Sequence, residues 1–276
     1  MTTKLSRPSQ SPPFKTMKPG QIQASRGITI YGRSGVGKTS LLATMPGKGL
    51  VIDVPQSEGG TEVLEDHADR LDVAIVTKWE EIDPIYTYLE SGNHDYKWVA
   101  IDSITAFQKL ARRKVVRERP ISADPHKVTL EEYGKINSLV EEMIYRFRTL
   151  SIFTVWIAQE KKHSSEGDSR SVWGPDLQPG CVAALLPSML LVGRMVTEIT
   201  LNGEEERRMI ISNRPDTMAK YRAKPSVEVP HIIKNPHLTV LLLTLAGRSN
   251  ELEALHLPHV QGVSDSFSLF GDDEVS

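Results

Sequence analysis

Residues 32–39 read Gly-Arg-Ser-Gly-Val-Gly-Lys-Thr, a complete phosphate-binding loop of the pattern G-x-x-x-x-G-K-[ST]. The glycines let the backbone turn so that successive N–H groups converge on one anion. The helix that should follow adds the partial positive charge of its N-terminus. In such loops the lysine, here Lys38, reaches the β- and γ-phosphates, and the hydroxyl, here Thr39, binds Mg²⁺. The motif therefore predicts ATP and Mg²⁺ as ligands.

The surroundings of the loop have the pattern that the motif requires. Residues 27–31 are apolar and β-branched, which is typical of a buried strand. Residues 40–45 continue as the first turns of a helix, and Pro46-Gly47 ends it. Strand, loop and helix in this order argue against a chance match. The predicted nucleotide contacts are Gly32, Arg33, Ser34, Gly35, Val36, Gly37, Lys38, Thr39 and Ser40.

Composition excludes several classes of protein. Of the 276 residues, 39% are apolar and 25% are charged, so the chain can bury the core of one large domain. A formal net charge of −2 gives no overall basic field, and nucleic-acid contacts would need local patches. Cys181 is the single cysteine, which excludes a disulfide framework and a cysteine-based zinc site. The sequence has no secretory signal and no spanning segment, and we expect a cytoplasmic protein without membrane contact.

Three segments follow from the composition along the chain. Residues 1–25 contain no acid and are rich in Pro, Ser, Thr and Lys, which predicts a flexible basic arm. Residues 26–248 should form the globular P-loop domain. Residues 249–276 are expected to form a C-terminal extension that ends in an acidic, disordered tail.

The order of apolar runs predicts the fold class. Strands are predicted at 27–31, 50–54, 73–77, 97–102, 152–158, 189–197, 207–212 and 238–245. Helical patterns lie at 82–90 and 103–119, and Thr129 with Glu132 forms a capping box for a long helix to about Leu150. Alternating strands and helices predict an α/β fold whose mostly parallel central sheet is flanked by helices. The later strands follow one another closely, which predicts antiparallel strands at the C-terminal edge.

The metal site needs a carboxylate in addition to Thr39. An apolar strand ends in Asp102, which we expect to hold Mg²⁺ together with Thr39, through water. Asp or Ser at such a junction can instead cap the next helix, but Ser103 can cap while Asp102 faces the metal. In simple nucleotide kinases the strand that ends in the metal-binding acid lies next to the strand that precedes the phosphate-binding loop. In the ATPase branch of P-loop proteins another strand lies between these two. Sequence alone leaves that spatial order open.

Hydrolysis requires a group that orients or deprotonates water. Glu58, which is followed by two glycines that permit a tight turn, is our prediction for the base. A solvated loop acid is the alternative for Glu58, and Asp53 and Gln56 are its competitors. A second polar group, Gln159, ends the strand at 152–158 and is predicted to contact the γ-phosphate. The alternative for Gln159 is a bond to a neighbouring loop.

These motifs together resemble the RecA-like core of P-loop and AAA ATPases, and more narrowly the phage-encoded nucleotide-binding proteins of Sak type, which anneal single strands. The resemblance covers about residues 27–248. It rests on the loop at 31–40, Val-Ile-Asp at 51–53 with Glu-Gly-Gly at 58–60, and Val-Ala-Ile-Asp-Ser at 99–103, followed by Ala-Gln at 158–159 and Trp-Gly-Pro-Asp-Leu-Gln-Pro-Gly at 173–180. Glu-Gly-Gly stands further past its strand than the usual acid of such proteins.

The resemblance implies a magnesium-dependent ATPase that binds single-stranded DNA and promotes strand annealing or homologous recombination. It further implies a homo-oligomer, either ring or filament, with a single-stranded DNA-binding protein as a further partner and the host cytoplasm as location for a phage protein. Its DNA-binding loop would be residues 160–180. The candidate DNA contacts are Lys161, Lys162, Arg170 and Trp173, which combine cations with one aromatic ring.

Two further assignments leave alternatives open. RecA-like ATPases often complete the site with a cation from the next subunit, and Lys220 is our prediction, with Arg214 and Arg222 as competitors. Surface solvation would also account for Lys220, and a mobile surface loop would account for residues 160–180.

Two other functions remain: a nucleotide or small-molecule kinase, and an assembly scaffold that ATP orders with little hydrolysis. The sequence does not distinguish DNA from RNA, or annealing from strand exchange.

Overall fold

A computed structural model describes residues 27–55, 60–119, 128–164 and 171–262. Within these ranges ten strands form one extended sheet system. The strands are β1 Gly27–Gly32, β2 Gly49–Asp53, β3 Leu71–Ile75, β4 Trp98–Asp102, β5 Phe153–Ser164, β6 Ser171–Pro175, β7 Leu191–Ile199, β8 Glu205–Ile210, β9 Lys220–Tyr221 and β10 Ile232–Lys234.

The spatial order of the main strands is β10-β8-β7-β1-β5-β4-β2-β3. All neighbours from β7 to β3 pair in parallel, whereas β8, β9 and β10 pair antiparallel at the C-terminal edge. The predicted α/β class, with its mostly parallel sheet and antiparallel edge, is confirmed. Strand β5 lies between the loop strand β1 and the acid-bearing strand β4, which is the order expected for the ATPase branch rather than for simple nucleotide kinases.

Helices cover both faces of this sheet. They are α1 Lys38–Leu42, α2 Ile82–Glu90, α3 Ile104–Arg117, α4 Leu130–Thr149, α5 Pro179–Leu185, α6 Leu238–Leu245 and α7 Asn250–Ala254, with short 3₁₀ helices at Thr61–His67, Trp79–Glu81 and Leu186–Ser188. One core packs α2, α3, α4 and α5 against the sheet, and the other packs α1 and α6 against the opposite face. Among these helices none is long and apolar enough to cross a bilayer.

The caps explain where two of the long helices begin. Thr129 accepts the N–H of Glu132, whose carboxylate accepts the N–H of Thr129, so α4 starts with the reciprocal box that the sequence indicates. Ser103 caps α3 by accepting the N–H of Ala106 at 3.2 Å. The helices predicted at 82–90 and 103–119 are present in the structure as α2 and α3.

The sequence prediction was wrong at two places. The strand predicted at 238–245 is helix α6, because the run is apolar on all sides and buried, and periodicity cannot distinguish such a helix from a buried strand. The segment 160–180, predicted as a DNA-binding loop, contains the end of β5, strand β6 and the start of α5. The β5–β6 hairpin pairs antiparallel from Glu160 with Pro175 to Ser164 with Ser171.

Candidate active site

The phosphate-binding loop follows β1 at the edge where the parallel strands end. Gly35 and Gly37 have φ values of 82° and 86°, a left-handed conformation that glycine adopts without strain. Helix α1 begins at Lys38 directly after Gly37. The loop thus turns tightly and presents its N–H groups beside the start of a helix, which is the arrangement that binds phosphate.

Lys38 is held inside the loop. Its ammonium group donates to the carbonyl oxygens of Gly32 at 2.9 Å and Arg33 at 2.7 Å. It also lies 3.4 Å from the Oε1 atom of Gln159, which directly follows the buried residues of β5. The residue is only 6% exposed, so this charge is aimed at the loop and shielded from bulk water.

Thr39 and Asp102 meet at the same edge. The Thr39 hydroxyl donates to Asp102 Oδ2 at 2.6 Å, and Asp102 is almost fully buried. Since Ser103 provides the cap of α3, the carboxylate of Asp102 is left to face the loop. A hydroxyl and a carboxylate in contact are the oxygen ligands that Mg²⁺ prefers, and these residues fit the metal that the loop motif implies.

A second buried carboxylate lies beside Asp102. Asp53 ends β2 in register with Asp102 on β4, and the Thr61 hydroxyl donates to it at 3.0 Å. Asp53 is one of the two competitors of Glu58 for the role of base, with Gln56. Glu58 and Gln56 lie outside the described residues, and their predicted roles stay predictions.

The pocket above the loop collects most of the predicted contacts. Its lining consists of Ser34, Gly35, Gly37, Lys38, Thr39, Ser40, Asp53, Gly60, Val63, Asp102 and Gln159. Three predicted contacts lie outside this lining: Gly32 contributes a carbonyl to Lys38, Val36 is buried in the core, and the Arg33 side chain turns away to Glu160. The pocket therefore combines one ammonium group, hydroxyls, an amide and two carboxylates.

The comparison with known families agrees with this geometry. The sequence model of the family described as AAA domain matches residues 24–223, which is well over half of the chain. The chain belongs to this AAA family. It is therefore a nucleotide-binding P-loop ATPase, and AAA ATPase domains in general use ATP and Mg²⁺. A search of curated proteins found no match.

In this AAA domain Gln159 is followed by a charged network that sequence reasoning missed. Thr105 accepts the N–H of Gln159 through its hydroxyl at 3.0 Å, which fixes the strand end near the loop. The next residue, Glu160, accepts Arg33 Nε at 3.2 Å and Arg194 Nε at 2.8 Å. One carboxylate thus joins the loop to β7. The sequence contained one sign of this network: Arg194 lies inside an apolar strand, and a buried charge requires a partner of opposite charge.

In this AAA domain three of the four predicted DNA residues lie on the β5–β6 hairpin. Lys162 pairs in register with Trp173, and its ammonium lies 5.1 Å from the ring centre. The Arg194 guanidinium also lies over this ring, at 4.3 Å. Lys161 forms an ion pair with Asp176 at 3.1 Å, and Arg170 lies outside the described residues. Because cations cover the Trp173 ring, its role as a stacking surface is less accessible than the sequence predicts.

Lys220 does not reach the pocket of its own chain. Lys220 pairs in register with Val192 on β7. The loop begins at the level of Met195, three residues further along β7, because Met195 pairs with Gly32 at the end of β1. The Lys220 ammonium donates to the carbonyl oxygen of Pro187 at 2.8 Å. Burial lowers the pKa of Lys220, and the nearby Arg222 lowers it further. Its action on a neighbouring subunit stays a prediction.

Proposed function

We propose that this AAA domain is a RecA-like, Mg²⁺-dependent ATPase that binds single-stranded DNA and promotes strand annealing or homologous recombination, as phage proteins of Sak type do. The observation that carries the proposal is the position of β5. Gln159 directly follows its buried part and lies 3.4 Å from Lys38, and the same strand continues into the hairpin that carries Lys161 and Lys162. One continuous strand thus connects the phosphate site to these two lysines.

The residues of the pocket suggest how hydrolysis would proceed. The loop N–H groups and Lys38 would bind the β- and γ-phosphates, and Thr39 with Asp102 would hold Mg²⁺. The metal, when bound, neutralises charge that develops on the phosphate oxygens. Glu58 would orient the attacking water. Asp53, which lines the pocket, is the alternative for this role among the residues that the structure describes. Gln159 would contact the γ-phosphate.

The contacts of Glu160 support a route from the nucleotide to the hairpin. Arg33 belongs to the loop, and Arg194 contacts the Trp173 ring of the hairpin, so Glu160 lies between them. A γ-phosphate bound at Gln159 would change the charge next to Glu160 and favour a different balance between its two arginines. The hairpin would then respond to whether ATP or ADP is bound.

The hairpin supports contacts to a phosphate backbone more than to bases. Lys161 is partly exposed and Lys162 is exposed, and the Trp173 ring is in contact with Lys162 and Arg194. Lysines on neighbouring positions of a hairpin are suited to the backbone of a single strand. We propose that the cations of several subunits, in a ring or filament, follow one strand, and that Lys220 acts across a subunit interface. A single-stranded DNA-binding protein and a cytoplasmic location complete the proposal.

ATP hydrolysis with and without single-stranded DNA tests the proposal. Stimulation by DNA is expected, together with loss of turnover in Lys38→Ala and normal turnover in Lys48→Ala, a control lysine that pairs with Asp72 and Asp95. Transfer of phosphate to a small acceptor would indicate a kinase instead. ATP binding without turnover would indicate a nucleotide-gated scaffold.

A second experiment tests the hairpin separately. Replacing Lys161 and Lys162 by alanine should make the negative slope of log affinity against log salt less steep, by about one for each lysine that contacts phosphate. Lys135→Ala is the matched control, since Lys135 is an exposed lysine paired with Glu131 on α4. An unchanged salt slope in the hairpin variant would remove the hairpin from the DNA interface.

A further inference from the structure

We propose that Arg207 on β8 is a nucleotide-binding residue that contacts the triphosphate bound in the loop of its own chain. The inference rests on the proposed ATP-binding function and adds to it a cation from a distant part of the sequence. Arg207 is 170 positions from Gly37 in the sequence, which is why no local motif reveals it.

The fold brings Arg207 to the loop because β7 is longer than β1. Met195 on β7 pairs with Gly32, the last residue of β1, and β7 then continues to Ile199. Strand β8 returns antiparallel along this extension, with Arg207 opposite Thr197. Arg207 therefore lies beyond the end of β1, where the loop begins. Side chains alternate along a strand, so Arg207 shares a face with Met209, which packs in the core of α1 and α6.

The contact between Arg207 and Gly37 is close. A Cβ atom added to Gly37 would lie 2.8 Å from Arg207 Cζ, 2.9 Å from Nη1 and 3.0 Å from Nε. The guanidinium group therefore packs against the backbone of the residue that precedes Lys38. Gly37 is required there for two reasons: its φ of 86° and the room that Arg207 occupies. Gly37 belongs to the lining of the pocket above the loop, so the guanidinium lies beside that lining.

The other charges nearby are already paired. Arg208, the next residue, points to the other face of the sheet, where it is buried and forms ion pairs with Glu198 of β7 and Glu206 of β8. Arg33 of the loop pairs with Glu160. Arg207 is exposed, and within the described ranges its side chain forms no ion pair or hydrogen bond with another residue. A guanidinium held against the loop without a carboxylate partner is suited to an anion.

The chemistry of the guanidinium group favours phosphate as that anion. Its planar N–H donors match two phosphate oxygens at once, and such charge-assisted bonds are stronger than neutral ones. Lys38 supplies a cation from inside the loop, and Arg207 would supply a second from its outer side. A triphosphate between them would be bound from two directions.

The test compares ligands that share the phosphates but not the nucleoside. Binding of ATP and of inorganic tripolyphosphate, both with Mg²⁺, is measured by calorimetry for the full chain and for Arg207→Ala, Arg207→Gln and Arg207→Lys. We expect both ligands to bind roughly tenfold more weakly to the alanine and glutamine variants, and lysine to restore part of the affinity. Arg248→Ala, which removes an exposed arginine paired with Glu251, should change neither affinity.

The outcomes separate this inference from the proposed function. If the unaltered chain binds neither ligand, the proposed ATP-binding function fails and the inference fails with it. If the unaltered chain binds ATP and the Arg207 variants bind each ligand as tightly as the unaltered chain does, only the inference is overturned. Weaker ATP binding with unchanged tripolyphosphate binding would also overturn it, because the contact would then be to the nucleoside. Misfolding is excluded as the cause of weaker binding if at least one variant melts at a temperature close to that of the unaltered chain.

Discussion

Glu160 and Arg194 form an ion pair of 2.8 Å in which the two side chains are only 4% and 9% exposed. Opposite charges at such depth interact strongly, but each has lost its hydration and depends on the other. The pair joins β5, directly after Gln159, to β7, and Arg194 also packs on Trp173. The link between the phosphate loop and the hairpin is therefore part of the folded core.

Replacing Glu160 by alanine should destabilise the fold by about 3 kcal/mol, because Arg194 would remain buried without its partner. Urea denaturation measures the loss. Glu251→Ala, which breaks the exposed pair with Arg248, should cost less than about 1 kcal/mol. The double variant Glu160→Ala with Arg194→Met should recover part of the lost stability. If Glu160→Ala behaves like Glu251→Ala, the pair contributes nothing to the core.

Asp102 provides a prediction about the metal. Asp102→Asn should keep the contact with Thr39 but remove the negative charge, and we expect a loss of about 10- to 100-fold in Mg²⁺ affinity or turnover. Nucleotide binding without Mg²⁺ should change little. Titration of ATPase activity with Mg²⁺ measures the effect, and Asp72→Asn, at the far edge of the sheet, is the control. An unaltered Mg²⁺ dependence would argue against Asp102 as the metal carboxylate.

Glu58→Gln tests the predicted base. ATP binding should persist, and turnover should fall by about 10²–10⁴-fold, since the amide cannot take a proton from water. Glu62→Gln, four residues further along, is the matched control. Normal turnover in Glu58→Gln would remove Glu58 from the role, and Asp53→Asn would then be the variant to examine, because Asp53 lines the pocket beside Asp102.

Local motifs account for the part of the site that the sequence predicted. The loop, Asp102 after an apolar strand, and the capping box at Thr129 each depend on neighbours in the chain, so their spacing is visible in the sequence. The α/β class followed from the alternation of patterns. Helix α6 was assigned wrongly because its environment, and not its period, makes it a helix.

Contacts between distant strands could not be predicted in the same way. The pair of Glu160 with Arg194 spans 34 positions and joins β5 to β7, the two strands that flank β1. Arg207 approaches Gly37 only because β7 extends beyond β1. Such contacts depend on strand order and strand length, which a single sequence does not specify.

His237 makes the stability of the α6 region dependent on pH. Its Nδ1 accepts the N–H of Val240 at 3.5 Å at the start of α6, and burial lowers the pKa of the imidazole below its ordinary value of 6.5. The unfolded chain therefore takes up a proton at higher pH than the folded chain. The resulting stability is fully present above pH 6.5 and is lost as the pH falls from there through the folded-state pKa.

Asparagine at position 237 separates the cap from the titration. Its side-chain oxygen can accept the same N–H, but it has no proton to gain, so His237→Asn should lose less stability between pH 7.5 and pH 5.5 than the unaltered chain. Urea midpoints at the two pH values give the comparison. His256→Asn is the control, because His256 is exposed and its positive φ of 54° suits asparagine. Equal pH dependence in the unaltered chain and His237→Asn would show that protonation of His237 does not destabilise the helix that packs beside α1.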